Sequence, residues 1–254
     1  MNKETINFKN SKGQNLVGDL YIPDTDDYPI VIFIHGFTSD RKNSKSKRLS
    51  SILPEKGIGF FSIDLSGRGD SDGEFEDTTL TQYIDDVKCA IDTISEYSDK
   101  IGIIGSSLGG IISLQEKSKD SKVKALVLVS PVSVFPHKSR RREFSPEGLK
   151  EWKEKGYALV ESGRFGDLKL NYGYYEDAIQ YGDYSVYDNI DIPVLIIHGT
   201  ADESVLMKET EELTRHLKNY RLIRLEGADH RYTNPEHFDK MIDETVKFFE
   251  EVLK

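Results

Sequence analysis

Short, largely apolar runs alternate along the chain with longer stretches in which apolar residues recur every three or four positions. Residues 30–34 read Ile-Val-Ile-Phe-Ile, and 58–64, 100–105, 123–129 and 194–197 are nearly as apolar, interrupted only at Ser62, Asp64, Lys100 and Lys124. Runs of this length with so few polar breaks suit central strands buried on both faces. Residues 221–225 supply the last strand. The longer period is clearest after Thr78, where Leu80, Ile84, Val87, Ile91 and Ile94 form one helical stripe with Cys89 on the opposite face. It returns at 235–253, where Phe238, Ile242, Thr245, Phe249 and Val252 face one way. Further helices are predicted over 45–56, stopped by Gly57, and over 108–116. The first two strands differ from the rest. Residues 4–9 and 15–22 flank a turn at Asn10-Ser11-Lys12-Gly13 and read as an antiparallel hairpin at a sheet edge.

Eight strands, alternating with helices after the hairpin, predict an α/β fold: a mainly parallel eight-stranded sheet with helices on both faces. The rhythm breaks between 131 and 190. That stretch is too long for a plain crossover and too aromatic for a disordered loop, with Phe135, Phe144, Trp152, Tyr174 and seven other tyrosines and phenylalanines. The expected organisation is therefore a core of residues 1–130 and 191–254 with an inserted cap, 131–190. The cap lies over the C-terminal edge of the sheet, where open α/β sheets bind ligands.

Composition narrows the partners. The 254 residues carry a net charge of −10, which argues against nucleic acid, since phosphate binding wants a basic surface. The N-terminus lacks an apolar signal segment, and no apolar run approaches the roughly 20 residues of a membrane span. One cysteine, Cys89, excludes an internal disulfide and fits a reducing compartment. These features point to a cytoplasmic protein acting on a small molecule, and a homodimer is compatible with them.

The chemistry centres on Gly105-Ser106-Ser107-Leu108-Gly109, between a strand and a helix. In such a G-x-S-x-G turn the central serine stands exposed above the sheet, and small neighbours permit the tight backbone. A serine hydroxyl needs a base to become a nucleophile. His230, in the loop directly after strand 221–225, is the candidate. Asp202, just after strand 194–197, is the candidate orienting carboxylate. Glu203, Asp229 and Asp64 are alternative acids, and His237 is a fallback base. An oxyanion hole needs two N–H donors, expected from Leu108 at a helix start and Phe37 after strand 30–34. His35 and His198 each precede a glycine at a strand end and are expected to shape those turns. No third ligand accompanies them, so no metal is expected.

The order Ser107, Asp202, His230 matches the α/β-hydrolase superfamily, which the chain resembles over almost its whole length. Within it, His35-Gly36-Phe37-Thr38, Gly67-Arg68-Gly69-Asp70-Ser71-Asp72-Gly73-Glu74-Phe75 and Glu226-Gly227-Ala228-Asp229-His230 resemble bacterial cinnamoyl and feruloyl esterases. The resemblance implies cofactor-free hydrolysis of carboxylic esters, with hydroxycinnamoyl esters as one class of substrate. One position departs: those esterases usually carry histidine before the nucleophile, and here Ser106 stands there. A monoacylglycerol lipase, thioesterase or peptidase of the same fold, or a ligand-binding protein without the chemistry, are the other readings. Tyr172 and Tyr175 are the cap residues expected at the substrate. The basic cluster His137, Lys138, Arg140, Arg141 and Arg142 reads as a solvated face, or as a lure for anionic substrates.

Overall fold

The computed structural model describes residues 2–117, 122–136, 142–163 and 165–254. His137, Lys138, Arg140 and Arg141 of the basic cluster lie outside these, and only the backbone of Arg142 lies within them. In chain order the elements are β1 (Asn2–Lys9), β2 (Asn15–Ile22), β3 (Ile30–Ile34), α1 (Ser44–Ile52), β4 (Gly59–Ile63) and α2 (Leu80–Ile94). Then come β5 (Ile101–Ser106), α3 (Leu108–Lys117), β6 (Val123–Val129), α4 (Pro146–Lys155), β7 (Tyr157–Ser162), β8 (Gly166–Asn171) and α5 (Gly173–Ala178). The chain closes with β9 (Val194–Gly199), α6 (Met207–Leu213), β10 (Tyr220–Leu225) and α7 (Pro235–Val252).

Eight strands form one sheet in the order β1-β2-β4-β3-β5-β6-β9-β10, and β7 pairs with β8 in a separate hairpin. β2 runs antiparallel to both β1 and β4; every other pairing in the large sheet is parallel. Strand periodicity divides the core between the two faces. Ile30, Ile32 and Ile34 of β3 enter the cluster under α2 and α3, whereas Val31 and Phe33 enter the one under α1 and α7. All five are fully buried. Each such side chain contributes roughly 1.5–3 kcal/mol, which explains why the run has no polar break.

Helix ends follow local chemistry. Asn43, Thr79, Ser145 and Asn234 cap α1, α2, α4 and α7 through their side chains, satisfying N–H groups with no partner inside the helix. Gly57 ends the turn after α1 with φ of 70°, a left-handed stop of the kind glycine makes at least cost. Cys89, on the face opposite the apolar stripe, is half-buried against the core, and burial pushes its thiol pKa up.

The glycine-rich loop after β4 is fastened by buried charge. Arg41 donates from Nε to Asp19 (3.2 Å), from Nη2 to Asp70 (2.6 Å) and from Nη1 to Asp64. Asp64 also accepts the backbone N–H groups of Arg41 (2.7 Å) and Asp70 (2.9 Å). A second carboxylate, Asp86 of α2, accepts from Ser66 and from Asn10 in the first turn. Removing one partner of a buried pair leaves the other charge uncompensated. Arg41→Ala should therefore lower the unfolding free energy by about 3–5 kcal/mol, measured by urea denaturation, because Asp64 has no exposure to water.

Candidate active site

The turn between β5 and α3 is built by close backbone approach. A Cβ at Gly105 would overlap the carbonyl of Gly109, and one at Gly109 would overlap the carbonyl of Ile34 on β3. α3 can thus sit tightly on the sheet, and the connecting residue, Ser107, is forced into the left-handed region at φ 55°. That conformation costs a non-glycine residue on the order of 1–3 kcal/mol and survives where neighbours fix it. Here the Ser107 N–H donates to Val129 of β6 (2.9 Å), and its carbonyl accepts from Gly110 (2.8 Å) and Val132 (3.0 Å). The result is a partly exposed Oγ above the strand ends.

The loops after β9 and β10 bring the other two candidates to it. A side chain at Gly199 would collide with Ala228, so the two loops touch backbone to backbone, and Ala201 donates to the Ala228 carbonyl at 3.1 Å. His230 Nε2 lies 3.0 Å from Ser107 Oγ, and His230 Nδ1 lies 2.7 Å from Asp202 Oδ2. Asp202 accepts at Nδ1, which leaves Nε2 as the lone pair facing the serine hydroxyl. The three residues selected from the sequence therefore form one hydrogen-bonded chain. The alternatives fall elsewhere. Asp229 binds Thr233, Asp64 binds Arg41, Glu203 is exposed, and His237 lies in α7.

Asp202 has more partners than the sequence suggested. Its Oδ1 accepts from Ser204 and Val205 N–H, each at 2.9 Å. Its Oδ2 is also 3.2 Å from His198 Nε2. His198 is wholly buried, with Nε2 3.0 Å from the Val205 carbonyl and Nδ1 2.7 Å from the Thr210 hydroxyl. Burial alone would favour the neutral acid. The hydrogen bonds from His198 and His230 outweigh it and hold the carboxyl well below the usual carboxylate range.

His35 shapes the loop on the far side. Burial lowers its pKa, so the ring is neutral; Nδ1 donates to the Gly36 carbonyl (2.8 Å), and Nε2 accepts from Leu65 N–H (3.2 Å). Gly36 consequently packs on Ser107, where an added Cβ would lie 3.3 Å from that of the serine. Phe37 and Leu108 line the same cavity, and neither backbone N–H has an acceptor among the described residues. Ser106, the departing position, also borders the cavity.

A cavity of about 680 Å³ opens at Ser107 and His230. One part of its wall is apolar: Phe37, Leu108, Val132, Phe135, Phe144 and Tyr174. The residues expected there, Tyr172 and Tyr175, do not line it. They stack on each other at 5.6 Å and pack against Trp152, forming the interior of the inserted segment. Tyr174 takes their place, with its ring 5.2 Å from Phe37 and 6.0 Å from Phe135. The reason is helical: Tyr174 and Ala178, four apart on α5, are the buried pair, so their neighbours turn away. The i, i+4 spacing was the available signal. A second group passed unnoticed in the sequence: Lys42, Lys45, Lys47 and Arg231 also line the cavity. Burial pushes the Lys45 ammonium down to about 8, against the pull of Asp229 and Asp202.

Among the described residues no group of three His, Cys, Asp or Glu side chains could hold a metal ion, and no helix is long and apolar enough to cross a membrane.

This sheet order and its helices define an α/β-hydrolase. The profile of the serine aminopeptidase S33 family matches residues 26–162, and the chain belongs to that family of hydrolases. Est1E from Butyrivibrio proteoclasticus, solved with ferulic acid bound, superposes with a TM-score of 0.83 at 26% identity, over 97% of this chain and 98% of that one. Mouse alpha/beta hydrolase domain-containing protein 10 shares the fold with a TM-score of 0.80 at 22% identity, over 98% and 99% of the two chains. The mitochondrial palmitoyl-protein thioesterase ABHD10 of Bos taurus is 28% identical over 180 residues, 70% of this chain. That match spans only 58% of the bovine protein's length. The AB hydrolase superfamily protein YisY of Bacillus subtilis is 25% identical over 83% of this chain and 88% of its own.

The depressed pKa of Asp202 makes a stability prediction. A carboxyl whose folded pKa lies below its unfolded value, near 3.9 for a free aspartate, stabilises the fold above that value. The contribution is lost as pH falls toward the folded pKa. Asp202→Asn should therefore flatten the decline in unfolding free energy below about pH 5, followed by chemical denaturation down to about pH 2. An unaltered acid slope would mean that Asp202 is not held as an ionised group.

Proposed function

We propose that the chain is a serine carboxylesterase acting through Ser107, His230 and Asp202, with residues 131–190 as the cap over the site. The observation that carries this is the unbroken hydrogen-bonded chain from Asp202 through His230 to a strained, partly exposed Ser107. His230 Nε2 takes the hydroxyl proton as Ser107 Oγ bonds to the ester carbonyl carbon. The carbonyl oxygen becomes an oxyanion facing the N–H groups of Phe37 and Leu108, where each donor is worth about 3–4 kcal/mol in the transition state. Asp202 fixes the ring tautomer and stabilises the imidazolium. The bond to the leaving oxygen then breaks, and His230 returns the proton to it. Water, deprotonated by the same nitrogen, attacks the acyl-enzyme and releases the acid and free Ser107.

The apolar wall supports an acyl or aryl group, and the likeness to Est1E with ferulic acid supports hydroxycinnamoyl esters as one class. A thioester is the second reading, supported by the curated relatives named as palmitoyl-protein thioesterases. It uses the same steps with a thiol leaving. The family name suggests peptides instead. An aminopeptidase must hold its substrate's ammonium group, and no Asp or Glu appears among the described residues that line the cavity.

Ser107→Ala should fold normally and lower kcat/KM for phenyl butyrate on the order of 10⁴-fold or more. It should also abolish labelling by a fluorophosphonate. Undiminished turnover in that variant sinks the reading; a steady-state assay with circular dichroism as the folding control decides it.

A further inference from the structure

We infer that the substrate carries a negative group, a carboxylate or phosphate, on its alcohol or thiol half, held between Lys45 and Arg231. The inference rests on Ser107 being the attacking group. It begins from a charge imbalance. The chain as a whole carries −10, yet the cavity is lined by Lys42, Lys45, Lys47 and Arg231, with no Asp or Glu among the described residues of its wall. Lys42 is neutralised by Asp70 at 2.9 Å. Lys45, Lys47 and Arg231 make no ion pair among the described residues.

The cations are gathered on one side. The apolar lining residues Leu108, Val132, Phe135 and Tyr174 belong to the core on the α2 and α3 face. Lys45 and Lys47 belong to α1, on the other face, and Lys45 Nζ stands 5.5 Å from the ring centroid of Tyr232, which belongs to that second core. Arg231 follows His230 directly, and its guanidinium lies against Gly163, at the tip of the β7–β8 hairpin. A positive group on this rim is thus tied both to the sheet and to the inserted segment. The N-terminal end of α1, where Asn43, Ser44 and Lys45 face the cavity, adds the positive end of its dipole.

Chemistry assigns the two halves of a substrate to these two sides. His230 must hand its proton to the leaving atom, so the leaving group lies against His230. Arg231 and Tyr232, whose ring carries Lys45, follow His230 directly on the chain, and Lys45, His230 and Arg231 line the same cavity. The acyl half is left the apolar wall. Burial lowers the Lys45 pKa against the pull of Asp229 and Asp202, and Arg231 adds a weaker repulsion of its own. A bound carboxylate or phosphate would relieve that repulsion and meet the guanidinium with charge-assisted hydrogen bonds.

Three butyrate esters with closely matched leaving groups test this: phenyl, 3-carboxyphenyl and 3-phosphonophenyl butyrate. In the native enzyme at low salt, kcat/KM should favour at least one anionic ester over phenyl butyrate by about tenfold or more. Whether the carboxylate or the phosphonate leads identifies which anion the rim is built for. The ratio should fall toward one in a Lys45→Met, Arg231→Gln double variant, persist in Lys45→Arg, and shrink as sodium chloride is raised. Because Lys45 packs on Tyr232, Arg231→Gln alone serves as the second test: the side chain is exposed, and its loss should lower the ratio about threefold. Hydrolysis of phenyl butyrate with no preference for either anion, or a preference that survives in the double variant, overturns the anionic subsite and leaves the esterase reading standing. Failure to hydrolyse any of the three overturns the esterase reading and the subsite with it.

Discussion

The backbone contact between α3 and the sheet is the constraint on which the rest of this site depends. Gly109 sits against the Ile34 carbonyl, and Gly105 against Gly109 itself, with no room for a Cβ at either place. With the helix that close, a single residue must reverse the chain between β5 and α3, and only a left-handed conformation does so. Ser107 bears the strain, and hydrogen bonds to β6 and to the start of the inserted segment hold it there. The same closeness brings Gly36 onto Ser107, so the loop after β3 arrives with its N–H groups beside the hydroxyl. The positions of the proposed nucleophile and of the proposed oxyanion donors are therefore consequences of one packing event.

The acid and base depend on a second close approach, Gly199 against Ala228, and on a layer of buried polar groups behind it. His198 and His230 both reach Asp202, and two backbone N–H groups hold its other oxygen. Four hydrogen bonds to one buried carboxylate overcome the desolvation that would otherwise protonate it. An ionised and immobile Asp202 leaves His230 one orientation. The equivalent layer on the other side of the sheet centre is the Arg41 cluster, where buried charge fixes the glycine-rich loop rather than a reacting group. In both places ion pairing supplies position more than net stability.

Much of this was legible in the chain. Apolar runs of five to seven residues mark strands because a parallel sheet buries both faces, and the eight strands of the large, mainly parallel sheet agree with that reading. Ser107, Asp202 and His230 are legible as candidates because each follows a strand end, and in a parallel sheet all such ends lie along one edge, where the three meet in one hydrogen-bonded chain. Tyr172 and Tyr175 were misjudged, since ten-odd aromatics in one insertion look alike until α5 sets which of them faces the core. Arg41, His198 and the cationic rim escaped for a different reason. Arg41 meets its partners 22 to 29 residues away and Lys45 stands 186 residues from Arg231, beyond any local pattern; His198 is only four residues from Asp202, but that spacing does not say which way its ring turns. His198 does shape the turn, through contacts to Val205, to Thr210 and to the carboxylate of Asp202.

The division of the cavity follows from the division of the core. β3 sends alternate side chains to opposite faces, and the loop after its end is where the two faces meet. Phe37 in that loop packs toward Tyr174 and the inserted segment, and the chain then crosses to α1, carrying Lys42, Lys45 and Lys47 to the other face. On the proposed reading, a substrate with its reacting carbonyl at Ser107 straddles this boundary, one half among rings and the other among cations. In a protein with ten excess negative charges, the surrounding surface would repel an anion at long range. Screening limits that repulsion to about 8 Å at physiological salt, so the cationic rim dominates only for a group that has already entered the mouth. Such an arrangement makes charge a criterion of seating rather than of approach: it acts on the bound geometry of the leaving group, beside the histidine that must protonate it.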